Sequence, residues 1–245
     1  MNWRPRHLSL SLIQSNQLLP LVLTLSCPRP IAHASEDTHV IHPGNPVPRG
    51  PKVVLGPGTG FGQAQLFWNE KIQSHTVMPS EGAHGDFGPR GALQRDLVAF
   101  MEAENGYCEL EHVCCGPGLE NIYRFLRSRE GGNGDRDNPG APEIAAAALA
   151  KKNAMAEESV VMLLSILGQE AGNWGLRSLA RGGVYIAGGI TPKLLPISEE
   201  TGCLKRAFLH EDSRFSKMIE SIPLTLITTD DIGLAGSCLY ASRSL

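Results

Sequence analysis

This chain lacks the features that mark membrane-spanning and nucleic-acid-binding proteins. A membrane-spanning helix needs about 20 consecutive apolar residues, and no segment of the 245 residues reaches that length. The formal net charge is only −3, and basic residues do not form runs interleaved with aromatic residues. The sequence therefore predicts no membrane partner and no nucleic-acid partner.

Cysteine is sparse, and its spacing excludes the common cysteine motifs. None of the six cysteines forms a C-x-x-C pair or lies at a zinc-finger spacing from histidine. This pattern favours reduced, buried thiols in a reducing compartment, and hence a cytoplasmic protein. The cysteines are Cys27, Cys108, Cys114, Cys115, Cys203 and Cys238.

The first 34 residues favour a different location. They contain no acidic residue, and Arg4 and Arg6 precede an apolar stretch and the small-residue sequence Ala32-His33-Ala34. This arrangement resembles a signal or transit peptide, which leaves an organellar or secreted protein open. Non-native sequence from a wrongly assigned start is the alternative. Residues 35–51, rich in proline, glycine and histidine, are predicted to be a linker, so the chain divides into a segment 1–51 and a domain 52–245.

The remaining pattern predicts an α/β domain. Three strands come first, helices follow, and strand–helix alternation closes the chain. Strands are predicted over 52–55, 63–68, 75–78, 112–115, 183–189 and 224–227. Helices are predicted over 92–104, 118–127, 142–180 with a break near Lys151, 203–210, 214–220 and 232–241, with a further helix opened by Thr191 as its cap and Pro192.

A glycine-rich turn, Gly56 to Gly62, joins the first two predicted strands. Consecutive backbone N–H groups with little side-chain obstruction can bind an anion, and Thr59 adds a hydroxyl. The turn is neither a Rossmann fingerprint, whose final glycine is missing, nor a Walker loop, since no Gly-Lys-Ser/Thr follows. A flexible hairpin tip is the alternative interpretation.

Two carboxylates and an imidazole lie within six residues, at Glu81, His84 and Asp86. Small spacers let such groups converge on a ligand. A carboxylate accepts from two adjacent hydroxyls, and a neutral imidazole both donates and accepts. Glu111, before a Gly-Pro-Gly sequence, offers a further acceptor. Without other information, solvated loop charges are the simpler interpretation.

Taken in order, the glycine turn, the Glu81–Asp86 run, the Glu111–Gly118 run and Gly188-Gly189 resemble the bacterial-type glucokinases, which are ATP-dependent hexose kinases. The resemblance covers roughly residues 43–243. It implies the C-terminal domain of such an enzyme, with an actin-like ATPase (ribonuclease H-like) α/β fold and a mixed sheet with flanking helices.

The resemblance also assigns roles, cofactors and partners. It implies that Glu81, His84 and Glu111 hold glucose, and that the nucleotide-binding residues are Gly58, Thr59, Gly60, Gly188 and Gly189. ATP and Mg²⁺ are the implied cofactors, glucose and ATP are the implied partners, and a homodimer is left open. No residue of this chain is assigned as a metal ligand.

Two motifs of the family are not found in these 245 residues: the Asp-x-Gly-Gly-Thr phosphate loop, and the Asn-Asp pair whose aspartate is the general base. No catalytic residue is therefore assigned. The first hypothesis is a glucokinase that is inactive or weakly active as this chain. The alternatives are a noncatalytic sugar- or nucleotide-binding module and a secreted α/β protein without a kinase role.

Overall fold

A six-stranded mixed sheet forms the centre of the protein. The computed structural model describes residues 37–131 and 139–229. The strand order across the sheet is β1-β6-β5-β2-β3-β4. The strands are β1 Thr38–His42, β2 Lys52–Pro57, β3 Phe61–Asn69, β4 Ser74–Ser80, β5 Gly183–Ile186 and β6 Leu224–Ile227.

The central strand β2 runs antiparallel to β3 and parallel to β5. Its apolar run is buried on both faces, because successive side chains of a strand point to opposite sides. Val53 and Leu55 belong to the main core between sheet and helices, and Val54 belongs to a smaller cluster with Ala64 and Leu66. A strand at this central position in the sheet therefore needs apolar residues at successive positions.

Seven α-helices and two short 3₁₀ helices surround the sheet within the described ranges. The α-helices are α1 Gly91–Asn105, α2 Gly116–Arg129, α3 Ala141–Leu149, α4 Ala154–Arg177, α5 Thr191–Thr201, α6 Cys203–Leu209 and α7 Ser216–Glu220. The 3₁₀ helices span Gly82–His84 and Leu110–Val113. The break predicted near Lys151 is confirmed, since α3 ends and α4 begins on either side of it.

The long helix α4 is the main packing element of the helical layer. Its N-terminus is capped by Asn153, whose side chain accepts from the Ala156 N–H at 3.1 Å. Farther along, a Cβ placed on Gly168 would lie 2.2 Å from the Leu204 carbonyl oxygen of α6. The absence of a side chain at Gly168 is thus what lets α4 and α6 approach so closely.

Two expectations from the sequence are wrong in detail. Residues 38–42 were expected in a linker, but they form β1, which pairs antiparallel with β6 because the edge of the sheet offers unpaired backbone groups there. Thr191 is the first residue of α5 rather than its cap, and no side chain caps that helix. The division at residue 51 stays a prediction. The predicted helix 232–241 lies outside the described residues.

Within the residues that the structure describes, no helix is long and apolar enough to cross a membrane.

Substituting Gly168 by alanine is expected to lower the free energy of unfolding by about 1–3 kcal/mol, because the new methyl group overlaps the α6 backbone. Gly175→Ala is the matched control in the same helix, since its Cβ would meet side-chain methyl groups and no backbone: Ile222 Cδ1 at 3.3 Å, and Ile222 Cγ2 and Val184 Cγ2 at 3.9 Å. Urea denaturation measures both variants. Equal losses of stability would contradict this account of the α4–α6 contact.

Candidate functional site

The glycine turn between β2 and β3 is held by two neighbouring elements. Within the turn, the Gly58 N–H donates to the Gly60 carbonyl at 2.7 Å. From outside it, the Gly116 N–H at the start of α2 donates to the Gly58 carbonyl at 2.8 Å. The Phe61 N–H, where β3 begins, donates to Glu111 Oε2 at 2.7 Å. The turn is therefore a fixed feature rather than a loose hairpin tip.

The backbone amides at the tip of this turn remain available. Among the described residues, no hydrogen bond engages the N–H groups of Thr59 and Gly60. Thr59 is exposed, and Gly60 is half-buried against the Glu111 carboxylate. Free amides beside a hydroxyl can receive an anion.

Glu81 and His84 lie where β4 leaves the sheet. The first 3₁₀ helix forms because the His84 N–H donates to the Glu81 carbonyl at 3.0 Å and Ser80 Oγ accepts from the Gly82 N–H at 3.0 Å. Both functional side chains are exposed, and Glu81 Oε2 lies 3.9 Å from His84 Nε2. That separation is too long for a hydrogen bond, so a ligand hydroxyl could contact both groups.

The sequence pattern did not identify Glu109, which contacts His84 from the position just before the second 3₁₀ helix. Glu109 Oε1 lies 3.1 Å from His84 Nδ1, and the Glu109 side chain is only 13% exposed. Backbone bonds join the two segments, with the Leu110 N–H donating to the Gly85 carbonyl at 3.0 Å. The pKa of His84 is raised, chiefly by the hydrogen bond to Glu109, and the charges of Glu109, Glu111 and Glu81 add to this against partial desolvation.

Glu111 lies in a 3₁₀ helix, and the strand predicted over 112–115 is wrong. Local hydrogen bonds outweigh the β propensity there: the His112 N–H donates to the Glu109 carbonyl at 3.1 Å, and the Glu109 N–H donates to His112 Nδ1 at 3.4 Å. Cys115 then caps α2, because its Sγ accepts from the Gly118 N–H at 3.4 Å. These local hydrogen bonds set the position of Glu111, whose carboxylate contacts the glycine turn at Phe61.

His84, Glu109 and Glu111 each bring one ligand atom within 4.8 Å of the others. Hydrogen bonds account for this cluster. The Glu111 carboxylate accepts from Phe61, and Glu109 accepts from His84. We therefore assign no metal to these residues.

The Gly188-Gly189 pair follows β5 and contacts the same hairpin. The Ala187 N–H donates to the Leu55 carbonyl at 2.8 Å. Gly188 has a φ of 92°, and a Cβ on it would lie 2.5 Å from the Pro57 carbonyl oxygen. By contrast, a Cβ on Gly189 would meet no atom within 4 Å. The backbone at Gly189 is thus open to a ligand, and two residues farther on the buried Thr191 hydroxyl has no hydrogen-bond partner among the described residues.

The four cysteines in the described ranges are free and buried, as predicted. Burial raises the pKa of Cys108 to about 11 and that of Cys115 to about 12. Both thiols are therefore protonated and unreactive at neutral pH. Cys27 and Cys238 lie outside the described residues.

The structure brings the predicted site residues into one region. Glu81, His84 and Glu111 surround one patch, and the bond from Glu111 to Phe61 joins that patch to the Gly58–Gly60 turn. Gly188 packs against the base of the same hairpin. A cavity of about 360 Å³ lies beyond the loop, lined in part by Asp86, Gln169 and Glu170, and it contains none of the predicted site residues.

Solved structures define the class of fold. A glucokinase from an Antarctic psychrotroph is 26% identical and superposes with a TM-score of 0.79, over 91% of this chain and 66% of that one. A glucokinase from Balamuthia mandrillaris in complex with glucose has the same fold, with 21% identity and a TM-score of 0.76 over 93% of this chain and 64% of that one. The protein has the actin-like ATPase fold, as the sequence resemblance implied.

Sequence relatives define the family. The Glucokinase family model matches residues 25–244. Glucokinases from Nostoc punctiforme and Mesorhizobium japonicum are 34% and 35% identical, over 85% and 86% of this chain. This chain therefore belongs to the glucokinase family. It spans 66% and 60% of the length of these two curated relatives.

The two adjacent glycines provide a test of this geometry. Gly188→Ala is expected to lower the free energy of unfolding by at least about 2 kcal/mol, because it combines left-handed backbone strain with a backbone clash. Gly189→Ala, which enters open space, should change stability by less than about 0.5 kcal/mol. Urea denaturation of both proteins gives the comparison, and a stable Gly188→Ala variant would show that the hairpin contact is wrongly placed.

Proposed function

We propose that this chain supplies the sugar-binding residues and part of the nucleotide-binding residues of an enzyme that transfers the γ-phosphoryl group of ATP to the 6-hydroxyl of glucose. The observation that carries the proposal is the 2.7 Å bond between the Phe61 N–H and Glu111 Oε2. It places a predicted sugar-binding carboxylate directly against the predicted phosphate-binding turn. A phosphoryl donor and a sugar acceptor must meet in this way.

Glucose fits the patch formed by Glu81, His84 and Glu111. Carboxylates accept hydrogen bonds from hydroxyl groups, and Glu111 still has one oxygen that the Phe61 amide does not occupy. The exposed Glu81 and His84 side chains lie 3.9 Å apart at their nearest polar atoms. The glucose bound in the Balamuthia mandrillaris enzyme is consistent with such a site in this family.

ATP fits the hairpin and the Gly188-Gly189 turn. The free amides of Thr59 and Gly60 suit phosphate oxygens. The open backbone at Gly189 suits close approach of the adenosine. A related sugar kinase from Streptomyces griseus was solved with glucose and AMPPNP. Magnesium would offset the phosphate charge during transfer, and we assign it no residue here.

A noncatalytic sugar- or nucleotide-binding module is the second candidate. It is favoured by the lack of an Asn-Asp pair within residues 1–245. Sequencing the full-length transcript separates the two, since an in-frame Asp-x-Gly-Gly-Thr and Asn-Asp upstream would support the kinase.

A cytoplasmic location and a homodimer stay predictions, as do the absence of membrane and nucleic-acid partners and the targeting role of residues 1–34.

Glucose binding tests the sugar site. Glu111→Gln and His84→Ala are each expected to weaken glucose binding about tenfold or more, because each removes a charged or polar partner of a sugar hydroxyl. Isothermal titration calorimetry measures the affinity. Glu158→Gln is the matched control, since Glu158 is exposed on α4. Unchanged affinity in both site variants, with the fold intact by circular dichroism, would rule out the assignment.

The rate of glucose phosphorylation tests the importance of the Asp-x-Gly-Gly-Thr and Asn-Asp motifs, which are not found within residues 1–245. We expect the purified 245-residue chain to phosphorylate glucose far more slowly than a typical enzyme rate of ~10 s⁻¹. Loss of a general base alone costs about 10²–10⁴-fold, and positioning of the phosphates adds to this. A coupled assay with glucose, ATP and magnesium gives the rate. A rate near ~10 s⁻¹ would mean that another carboxylate of this chain serves as the base.

A further inference from the structure

Glu109 is the charged group that contacts the predicted sugar-binding histidine most closely. It directly precedes the second 3₁₀ helix, and its Oε1 is 3.1 Å from His84 Nδ1. Its side chain is 13% exposed, against 49% for His84. A largely buried carboxylate thus lies behind an exposed imidazole, on the side away from solvent.

Glu109 is itself held in place by His112. The Glu109 N–H donates to His112 Nδ1 at 3.4 Å, so the neutral His112 ring carries its proton on Nε2. That Nε2 lies 3.6 Å from the same Glu109 Oε1. The Glu109 carbonyl also accepts from the His112 N–H at 3.1 Å. Two backbone hydrogen bonds and one carboxylate contact with the same residue therefore hold Glu109 in place.

The contact with Glu109 determines the tautomer of His84. An ionised carboxylate only accepts hydrogen bonds, so His84 Nδ1 must carry a hydrogen to donate to it. In the neutral ring Nε2 is then left with a free lone pair. This nitrogen lies 3.9 Å from Glu81 Oε2. The outward-facing polar atoms of His84 and Glu81 are consequently both acceptors.

We propose that Glu109 is a positioning residue that holds His84 in its Nδ1–H tautomer, so that His84 Nε2 and the Glu81 carboxylate together accept hydrogen bonds from two neighbouring hydroxyls of the sugar. This inference rests on the proposed function. Glu109 acts through His84 and does not touch the sugar.

The charges around His84 give this arrangement a pH dependence. Glu81 faces the ring from the end of β4, Glu109 from the position before the second 3₁₀ helix, and Glu111 from within that helix. All three raise the pKa of His84. Protonation turns Nε2 from an acceptor into a donor, so glucose affinity should fall as the pH falls through this raised pKa. Removing the charge of Glu109 should move that loss of affinity to lower pH.

The test is a set of glucose titrations by calorimetry across pH, together with an NMR titration of the His84 ring assigned with His84→Ala. Glu109→Gln keeps an acceptor oxygen but removes the charge, so both midpoints should shift to lower pH. Glu109→Asp retains the charge, so the midpoints of its two pH titrations should stay close to those of the unsubstituted chain. Glu109→Ala should weaken glucose binding about twofold at pH 8, because the two neutral tautomers are then about equally populated and only one of them binds. Glu158→Gln, exposed on α4, should change nothing.

The outcomes separate this inference from the proposed function. Suppose that the unsubstituted chain binds glucose and that Glu109→Gln folds normally with unchanged midpoints in both pH titrations. That result would overturn the role of Glu109 alone. A uniform loss of affinity in Glu109→Gln at every pH, without a shift of the His84 titration, would also overturn it and show a merely structural role. No glucose binding by the unsubstituted chain at any pH would overturn the proposed function and the sugar role of His84 with it.

Discussion

The hydrogen bond between the Phe61 amide and the Glu111 carboxylate is the contact on which the arrangement of the site depends. It joins the glycine hairpin of the sheet to the second 3₁₀ helix, two segments separated by 50 residues in the chain. A bond from a backbone amide to a charged acceptor is typically worth about 1.5–3 kcal/mol, more than a neutral one. The Gly116–Gly58 bond reinforces it from the start of α2. Together with the pairing of β3 and β4, these contacts fix the glycine turn relative to the patch formed by Glu81, His84 and Glu111.

The two carboxylate oxygens of Glu111 therefore have different surroundings. One oxygen holds the hairpin, and the other is free to accept from a ligand. In the proposed function, a shift of Glu111 on sugar binding would be transmitted directly to the turn that receives the phosphates. Glu109 has a different part, because it lies behind His84 and is itself fixed by His112. The candidate site thus combines the exposed side chains of Glu81 and His84 with two less exposed carboxylates, of which Glu109 contacts His84 and Glu111 contacts the hairpin.

Local patterns predicted much of the fold correctly. The apolar run at Val53–Leu55 predicted a strand because a central strand must be apolar on both faces. The close spacing of Glu81 and His84 predicted a shared patch, since four residues cannot separate far. Failures occurred where a tertiary or capping contact outweighs local preference. Residues 38–42 join the sheet edge although their surroundings are rich in proline and glycine. Residues 112–115 follow the 3₁₀ turn closed by the His112 N–H and the Glu109 carbonyl, and then the Cys115 cap of α2.

The sequence by itself determined the family, the order of the motifs and the identity of the exposed sugar- and phosphate-binding candidates, because these depend on residue type and short spacing. Only the tertiary structure decided which partner each of them has. Glu109 and Glu111 differ by two positions and have the same side chain, yet one contacts His84 and the other contacts the hairpin. The 3₁₀ turn between them points the two carboxylates at different neighbours, and residue spacing alone carries no information about which neighbour the fold brings to each.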